Sequence, residues 1–246
     1  MMLFLRSLAF HIHFYGLTTA LLLSSIVFRA LPQSMVAGWP HAMARIWARW
    51  IVWGLRVICD TRYEVTGREH LPDGPALIAS MHQSAFDTVI WMLLMHDPAY
   101  VLKIELTRIP LFGGLCTATK MIAVDREGGA ASIRSLLKGA DAVLAEQRSI
   151  VIFPEGTRVA PGVRAQLHPG IAALASHTRL PVVPVLTDSG YFWGRRTFMR
   201  CPGVIRIAIQ PPLPVGMRRP ALMQNLADQF VAGLPRPPVD NSVGTG

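Results

Sequence analysis

Apolar, strand-like runs alternate with helical patterns along most of this chain, and this alternation restricts its possible folds more than any other feature. The apolar runs lie at 76–80, 121–124, 149–153, 181–186 and 204–210. The helical patterns lie at 88–95, 130–146 and 171–176. Strands that alternate with helices pack into layers around a largely parallel sheet. We therefore predict an α/β layered domain with a largely parallel central sheet flanked by helices.

The chain divides into three predicted parts. Residues 1–60 form N-terminal membrane-anchoring helices, 61–215 form the α/β domain, and 216–246 form a short helix and a mobile tail. The helix is expected at 220–234, and the tail carries three prolines near its end, at Pro235, Pro237 and Pro238.

Composition favours a membrane surface over nucleic acid as the partner. The net charge is +9, yet only 16% of residues are charged and 51% are hydrophobic. Nucleic-acid binders are richer in Lys and Arg and less apolar, so we predict no nucleic-acid partner. An anionic membrane surface or an acidic substrate fits this balance. The three scattered cysteines indicate neither a disulfide framework nor a zinc site.

The segment from Ser7 to Phe28 contains 22 residues without Asp, Glu, Lys or Arg. A bilayer core needs about 20 apolar residues, so this segment is long enough to anchor the chain. A signal peptide is the alternative, but its apolar region is usually shorter, about 7–15 residues. Hydropathy leaves open whether the segment spans the bilayer or forms half of a shallow hairpin.

A second N-terminal segment, 42–58, predicts a basic amphipathic helix. Its three charges, Arg45, Arg49 and Arg56, fall within about 40° of one another on a helix. Its tryptophans suit the headgroup boundary; the alternative is a helix packed on the domain with its arginines in water. More arginines follow the first segment than precede it, which places the domain on the cytoplasmic side of the inner membrane.

An imidazole and a carboxylate, His82 and Asp87, stand five positions apart just after the apolar run 76–79. Five residues turn through about 140° on a helix, and on a strand they point to opposite faces. The two side chains can therefore meet only across a turn, which predicts a strand, a sharp loop and a helix. A carboxylate that orients a histidine makes it a general base near neutral pH. In the alternative, Asp87 only caps the helix at 88–95.

Charged residues also follow other predicted strands. The sequence Phe-Pro-Glu-Gly-Thr-Arg at 153–158 forms a turn, in which Arg158 offers a planar fork suited to phosphate. Glu155 is placed to hold a substrate hydroxyl or pair with a cation. Arg126, after the run 121–124, is a second candidate anion contact, although a surface pair with Asp125 explains it equally well. Lys103 taken alone is explained as an ordinary exposed lysine. Because ligands bind beyond the carboxyl ends of parallel strands, His82 and the turn that begins at Phe153, which both follow strand-like runs, are expected at one edge.

Several catalytic patterns do not occur in the sequence. There is no G-x-S-x-G nucleophile elbow, no P-loop, no dinucleotide fingerprint and no cluster with metal-ligand spacing. We therefore expect no bound cofactor and no metal.

Four ordered blocks together resemble the glycerolipid acyltransferases, and most closely their 1-acylglycerol-3-phosphate acyltransferase branch. They lie at 82–87, 124–126, 153–158 and 182–185, and the resemblance covers roughly residues 60–210. It implies that His82 is the general base and Asp87 its orienting partner. It assigns acceptor binding to Lys103, Arg126, Glu155, Gly156, Thr157 and Arg158.

The resemblance implies an O-acyltransferase that forms phosphatidic acid from 1-acyl-glycerol-3-phosphate. The acyl donor is then acyl-CoA or acyl-carrier protein, and the other partners are membrane lipids and the lysophospholipid acceptor. Without a nucleophile elbow, transfer is expected to be direct, and backbone N–H groups near the loop after His82 are candidates for stabilising the oxyanion. Alternatives are a different acceptor (a lyso-ornithine lipid, another lysophospholipid or glycerol 3-phosphate) and a non-catalytic module that binds anionic lipids.

Overall fold

The computed structural model describes residues 1–29, 38–126 and 128–234. Its helices are α1 Met2–Arg29, α2 Trp39–Cys59, α3 Phe86–Leu94, α4 Phe112–Ala118, α5 Gly129–Leu144, α6 Gly170–Thr178 and α7 Arg219–Ala232. Its strands are β1 Thr61–Thr66, β2 Leu77–Ser80, β3 Ala99–Lys103, β4 Ile122–Val124, β5 Ile150–Ile152, β6 Val182–Thr187 and β7 Gly203–Ile209. The proline-rich tail predicted to be mobile lies outside the described residues.

The seven strands form one sheet in the order β1-β7-β6-β2-β5-β3-β4. All neighbouring strands are parallel except β6 and β7, which are antiparallel. The predicted α/β layered fold with a largely parallel sheet is therefore confirmed. Each of the five predicted strands is present, with ends that differ by at most one residue.

The central strands are buried on both faces, which explains their continuous apolar sequences. Every residue of β2 and β6 is buried, and alternate residues of β2 enter different cores. Ile78 packs in the core with α2 and α3, whereas Leu77 packs in the core with α5, α6 and α7. The sheet is thus the middle of three layers.

The N-terminal helices α1 and α2 form an antiparallel hairpin. Helix α2 packs in the same core as α3 on one face of the sheet, and α1 lies against α2. His13 of α1 lies against Gly54 of α2, where a Cβ atom would come within 2.4 Å of the imidazole ring. Phe10 of α1 is 1% exposed and meets the Trp193 ring edge-on at a centroid distance of 5.2 Å. The N-terminal half of α1 is therefore packed against both α2 and the α/β domain.

The outer face of this hairpin is apolar and exposed. Its large exposed side chains include Phe4, Leu8, Ile12, Tyr15, Leu23 and Ile26 of α1 and Ile46, Trp50, Trp53 and Val57 of α2. By length and composition, the segment Met2–Ile26 is long and apolar enough to cross a membrane. The predicted helix at 42–58 is confirmed within α2. Its inner face packs on the domain, while Arg49 and Arg56 are exposed and Arg45 bonds to Asp97 at 2.9 Å.

The connectivity brings the hairpin and the strand-end loops to one edge of the sheet. Because β7 is antiparallel to β6, and β1 is parallel to β7, both strands begin where β6 ends. The end of α2 leads directly into β1. The base of the hairpin therefore lies at the carboxyl edge of β2, β5 and β6.

Candidate active site

Three neighbouring strands deliver the central site residues. His82 follows β2, Phe153 follows β5 on one side, and Ser189 follows β6 on the other side. These three strands are parallel, so their carboxyl ends share one edge. The predicted convergence of His82 and the 153–158 turn is confirmed.

His82 and Asp87 meet across a sharp loop, as their spacing predicts. The His82 Nδ1 and Asp87 Oδ2 atoms are 3.3 Å apart. Helix α3 begins at Phe86, so Asp87 lies in its first turn, where the helix dipole favours a negative charge. Ala85, not Asp87, occupies the N-cap position, and the alternative that Asp87 merely caps the helix is wrong.

The Asp87 carboxylate is almost completely buried, at 2% exposure, and both of its oxygens accept hydrogen bonds. Oδ2 accepts from the backbone N–H groups of Gln83 at 2.7 Å and Ser84 at 2.8 Å. Oδ1 accepts from the Ser189 hydroxyl at 2.6 Å. The carboxylate is therefore fixed in orientation before it acts on the imidazole.

Ser189 is a residue that the sequence did not single out. It lies 102 positions from Asp87 and is fully buried. Its only sequence signal is its place after the apolar strand β6, next to Asp188. Because it contacts the carboxylate and not the reacting atoms, Ser189 is a positioning residue.

The His82 ring is held on two sides. Besides Asp87, it stacks on Phe153 with a centroid distance of 4.2 Å and an interplanar angle of 22°. A carboxylate accepts hydrogen bonds, so this arrangement assigns the proton to Nδ1 and leaves Nε2 as the basic nitrogen. The ring retains partial solvent access, with 16% of its side-chain surface exposed.

Glu155 supports the His82 loop from the neighbouring strand end. Its Oε1 accepts a hydrogen bond from the His82 backbone N–H at 3.0 Å. Its other oxygen, Oε2, is buried without a hydrogen-bond partner among the described residues. Burial raises the pKa of Glu155 to about 7, partly opposed by backbone N–H groups of Glu155 and His82. Glu155 is therefore a buried carboxyl whose protonation state changes near neutral pH.

The predicted cations follow three strands on one side of β2 in the sheet order, and the loop that carries Arg158 returns to His82, whose carbonyl accepts from the Val159 N–H at 2.8 Å. Lys103 ends β3, Arg126 follows β4 and Arg158 follows β5. Lys103 faces Glu105 at 3.6 Å, and both side chains are about half exposed, so this pair contributes little to stability. The Arg158 guanidinium has no hydrogen-bond or ion-pair partner in the described part of the chain.

Arg126 has a structural contact that the sequence did not reveal. Its guanidinium donates to the backbone carbonyl of Gly156, and burial lowers the pKa of the side chain. Gly156 has a φ of +67°, and a Cβ there would come within 2.7 Å of the His168 ring. Only glycine fits this position without strain, so the turn preceding Thr157 and Arg158 is fixed by its own backbone and by Arg126.

The loop geometry also limits the chemistry. The hydroxyls of Ser84 and Ser189 are buried and bonded, so neither is available as a nucleophile. The backbone N–H groups of residues 82, 83, 84 and 86 all donate within the protein. These four N–H groups are therefore already engaged, and the expectation that N–H groups near this loop stabilise an oxyanion stays a prediction. No group of three or more His, Cys, Asp or Glu side chains arranged to hold a metal occurs within the described ranges.

Comparisons with known proteins agree on one family. A family model described as acyltransferase matches residues 62–188. The 1-acyl-sn-glycerol-3-phosphate acyltransferase of Pseudomonas aeruginosa is 34% identical over 189 residues, which cover 76% of this chain and 74% of that relative. The enzyme of the same name from Limnanthes alba is 30% identical over 200 residues, covering 79% and 70%.

A solved structure shows the same fold. The 1-acyl-sn-glycerophosphate acyltransferase PlsC from Thermotoga maritima superposes with a TM-score of 0.72. The match covers 93% of this chain and 94% of that protein at 20% sequence identity.

The buried Glu155 carboxyl predicts a pH-dependent stability. Its pKa rises from 4.5 to about 7 on folding, so the folded state binds this proton more tightly. Its contribution to stability is full below about pH 4.5 and is lost as the pH rises to about 7. The free energy of unfolding should therefore fall over this range by on the order of 3 kcal/mol.

Urea unfolding of the wild type and Glu155→Gln between these pH values checks this expectation. The substitution should remove most of the decline, whereas Glu64→Gln, at an exposed carboxylate on β1, should leave it intact. An equal decline in wild type and Glu155→Gln would contradict the raised pKa.

Proposed function

The chain belongs to the acyltransferase family, and from this premise we propose that it makes phosphatidic acid. It transfers a fatty acyl chain from an acyl thioester to the free hydroxyl of 1-acyl-glycerol-3-phosphate. The observation that carries this proposal is the oriented His82–Asp87 pair at the carboxyl edge of the sheet. The names of the Pseudomonas and Limnanthes relatives, which state the same acceptor, support it.

The geometry supports a direct transfer with His82 as general base. His82 Nε2 takes the proton of the acceptor hydroxyl as its oxygen attacks the thioester carbonyl carbon. The tetrahedral intermediate then collapses, the C–S bond breaks, and the thiolate leaves with a proton returned by the imidazolium. Asp87 stabilises the imidazolium and keeps Nδ1 protonated throughout. The buried serines beside the pair offer no route through an acyl-enzyme.

The cations beside His82 are proposed to hold the acceptor's phosphate. Arg158 is the principal contact because its guanidinium has no other partner in the described chain. Arg126 and Lys103 follow the next two strand ends and add positive charge to the same side. Binding energy from the phosphate is thereby converted into positioning of the distant hydroxyl.

The turn at 153–158, called here the third-block turn, is proposed to shape the acceptor site around these cations. Gly156 sets its backbone and Thr157 is exposed beside Arg158. Glu155 holds the His82 backbone through one carboxyl oxygen, and its buried second oxygen helps to shape the acceptor site from beneath. The donor is acyl-CoA or an acyl-carrier protein, both of which supply the thioester that this reaction needs.

The hairpin is proposed to lie in one leaflet of the bilayer. Residues up to Thr18 of α1 run along α2, where the Trp47 indole N–H donates to the Thr18 hydroxyl at 3.1 Å. Helix α2 itself contacts the domain along its length, from Arg45, which pairs with Asp97, to the buried Cys59 at its end. A hairpin held along the domain in this way is proposed to lie beside it in the membrane plane, without projecting through a hydrocarbon core about 30 Å thick. The exposed apolar face of α1 and α2 is instead suited to immersion in the plane of the membrane.

We place the enzyme on the cytoplasmic side of the inner membrane. Arg29, Arg45, Arg49 and Arg56 follow the apolar segment, against Arg6 before it. This bias favours the cytoplasmic face. The three cysteines are free, which suits a reducing compartment.

Removal of the base should abolish transfer without unfolding the protein. For His82→Ala we expect thiol release from acyl-CoA to fall by at least about a hundredfold. The matched control is His177→Ala, because His177 also contacts a carboxylate, Asp141, at 2.7 Å but lies far along the chain on α6. Near-normal turnover in His82→Ala would refute the assignment.

Removal of the free guanidinium should weaken acceptor binding. For Arg158→Ala we expect the KM for the acceptor to rise about tenfold while the KM for the acyl donor stays constant, because a charged hydrogen bond is lost. Arg134→Ala, at an exposed arginine on α5, is the control.

Activity against a panel containing lysophosphatidate, glycerol 3-phosphate and a lysolipid without phosphate identifies the acceptor. An unchanged acceptor KM would reject the phosphate role of Arg158.

Loss of the Ser189 hydroxyl should slow the reaction without changing binding. For Ser189→Ala we expect kcat to fall about tenfold, since a hydrogen bond to a buried charge contributes about 1.5–3 kcal/mol. Ser189→Cys keeps a weaker donor and should give an intermediate kcat. Ser149→Ala removes another buried hydroxyl, bonded to the Ala76 N–H at the opposite edge, and serves as the control. If both KM values rose and kcat did not change, Ser189 would have no positioning role.

A further inference from the structure

A basic and apolar loop lies at the carboxyl edge beside the candidate active site. Its five consecutive residues, 195–199, read Arg-Arg-Thr-Phe-Met, and all five are exposed. Phe198 is 38% exposed and Met199 is 40% exposed, which is unusual for two adjacent large apolar side chains in a short loop. This loop, called here the 195–199 loop, has no role in the chemistry described above.

The loop is rigidly supported from beneath. Arg200 is 6% exposed, and its Nη1 donates to the carbonyls of Thr197, Phe198 and Met199 at 2.8, 3.2 and 3.0 Å. Its guanidinium also lies 4.9 Å from the ring centroid of Trp193. A buried arginine that binds three successive carbonyls fixes the loop backbone. The loop therefore keeps one backbone position, in which Phe198 and Met199 each leave part of their apolar surface in solvent.

The loop continues the exposed apolar face of the hairpin. The Phe198 ring stacks on Phe4 at 5.0 Å and on His11 at 4.6 Å between centroids. The Arg200 backbone N–H donates to the Ser7 hydroxyl of α1 at 2.9 Å. The two surfaces thus adjoin and form one continuous patch.

The charge of this region favours an anionic partner. Arg195 and Arg196 adjoin the apolar pair, and no Asp or Glu occurs anywhere from residue 189 to 227. Arg195 also donates to the backbone carbonyl of Arg158 at 3.0 Å. The loop is therefore a direct physical link between the hairpin surface and the turn assigned to the acceptor's phosphate.

We propose that the 195–199 loop is a second membrane contact that recognises anionic lipid headgroups. Phe198 and Met199 insert among the headgroups beside α1, and Arg196 pairs with lipid phosphates. This contact sets the Arg158 turn at headgroup level, where the phosphate of a lysolipid lies. The proposal rests on the membrane placement of the hairpin given above and adds a site outside it.

Vesicle flotation of the full chain tests this contact. Phosphatidylcholine vesicles are compared with vesicles that also contain phosphatidylglycerol. Arg196→Gln should partition about fivefold more weakly onto the anionic vesicles and normally onto neutral ones, because one basic charge near the headgroups is lost. Phe198→Ser should partition about threefold more weakly onto both, because a partly exposed aromatic ring no longer enters the interface.

Two variants at positions away from the patch are the controls. Arg134→Gln lies on α5, and Val215→Ser lies near Leu213, which pairs with the first residue of β6 at the opposite edge. Both should partition like the wild type, and thermal unfolding establishes that all four variants are folded. Transfer to a short-chain acceptor in detergent micelles should be unaffected by Arg196→Gln and Phe198→Ser.

Other outcomes separate this proposal from the proposed function. Partitioning of Arg196→Gln and Phe198→Ser equal to that of the controls would overturn the loop contact, even if the enzyme is active. A raised KM for acyl-carrier protein with unchanged partitioning would also overturn it and assign the loop to an acidic protein partner. If the wild type transferred no acyl chain, the proposed function would fail while the flotation result still decided the loop.

Discussion

The site depends on a buried carboxylate, Asp87, that is held by groups from two different strand ends. An ionised carboxylate out of water is costly unless hydrogen-bond donors surround it. Here two backbone N–H groups, a serine hydroxyl and the His82 imidazole surround it. The loop after β2 supplies three of these donors, and the loop after β6 supplies the fourth. The charge is therefore satisfied only when β2 and β6 lie side by side, so formation of the sheet and orientation of the base are the same event.

The sequence was sufficient for the part of the site that is local. The spacing of His82 and Asp87 excluded a helix and a strand, and the turn that remained is the one in the structure. The Ser189 contact could not be predicted, because a serine 102 positions away carries no pattern of its own. The sequence locates the N–H groups of this loop but does not show which acceptor each one binds, because that depends on where the Asp87 carboxylate lies.

In the fold too, elements with a clear apolar pattern could be predicted from the sequence, whereas elements that depend on their surroundings could not. Strands that are buried on both faces were recognised because their apolar runs are continuous, as in β6. The edge strand β1 was missed although it alternates between buried and exposed residues, because its sequence contains Arg62 and Glu64. The short strand β3 and the helix α4 were missed for a related reason. Each is too short to show a recognisable apolar repeat, so its conformation is decided by tertiary packing.

The third-block turn shows that residues assigned to substrate binding also build the site. Arg126 holds the Gly156 carbonyl, and Glu155 holds the His82 backbone, so both connect separate strand-end loops. Loss of either side chain would disturb the geometry as well as any contact with substrate. Arg158 differs because its side chain has no such task in the described chain. It is therefore the position at which phosphate binding can be separated from construction of the site.

The membrane geometry explains why this chemistry needs so few groups. A direct transfer requires the hydroxyl and the thioester carbonyl to meet beside one base, and positioning can supply much of the rate. The hairpin and the strand-end loops share one edge of the sheet, so with the hairpin in the membrane, as proposed, a lipid acceptor approaches His82 from the side on which it is already concentrated. In the proposed reaction, its phosphate meets Arg158 at the membrane surface while its hydroxyl extends toward the imidazole. On this proposal the fold replaces elaborate catalytic machinery with placement, because one oriented base and one available cation lie at the depth of the lipid substrate.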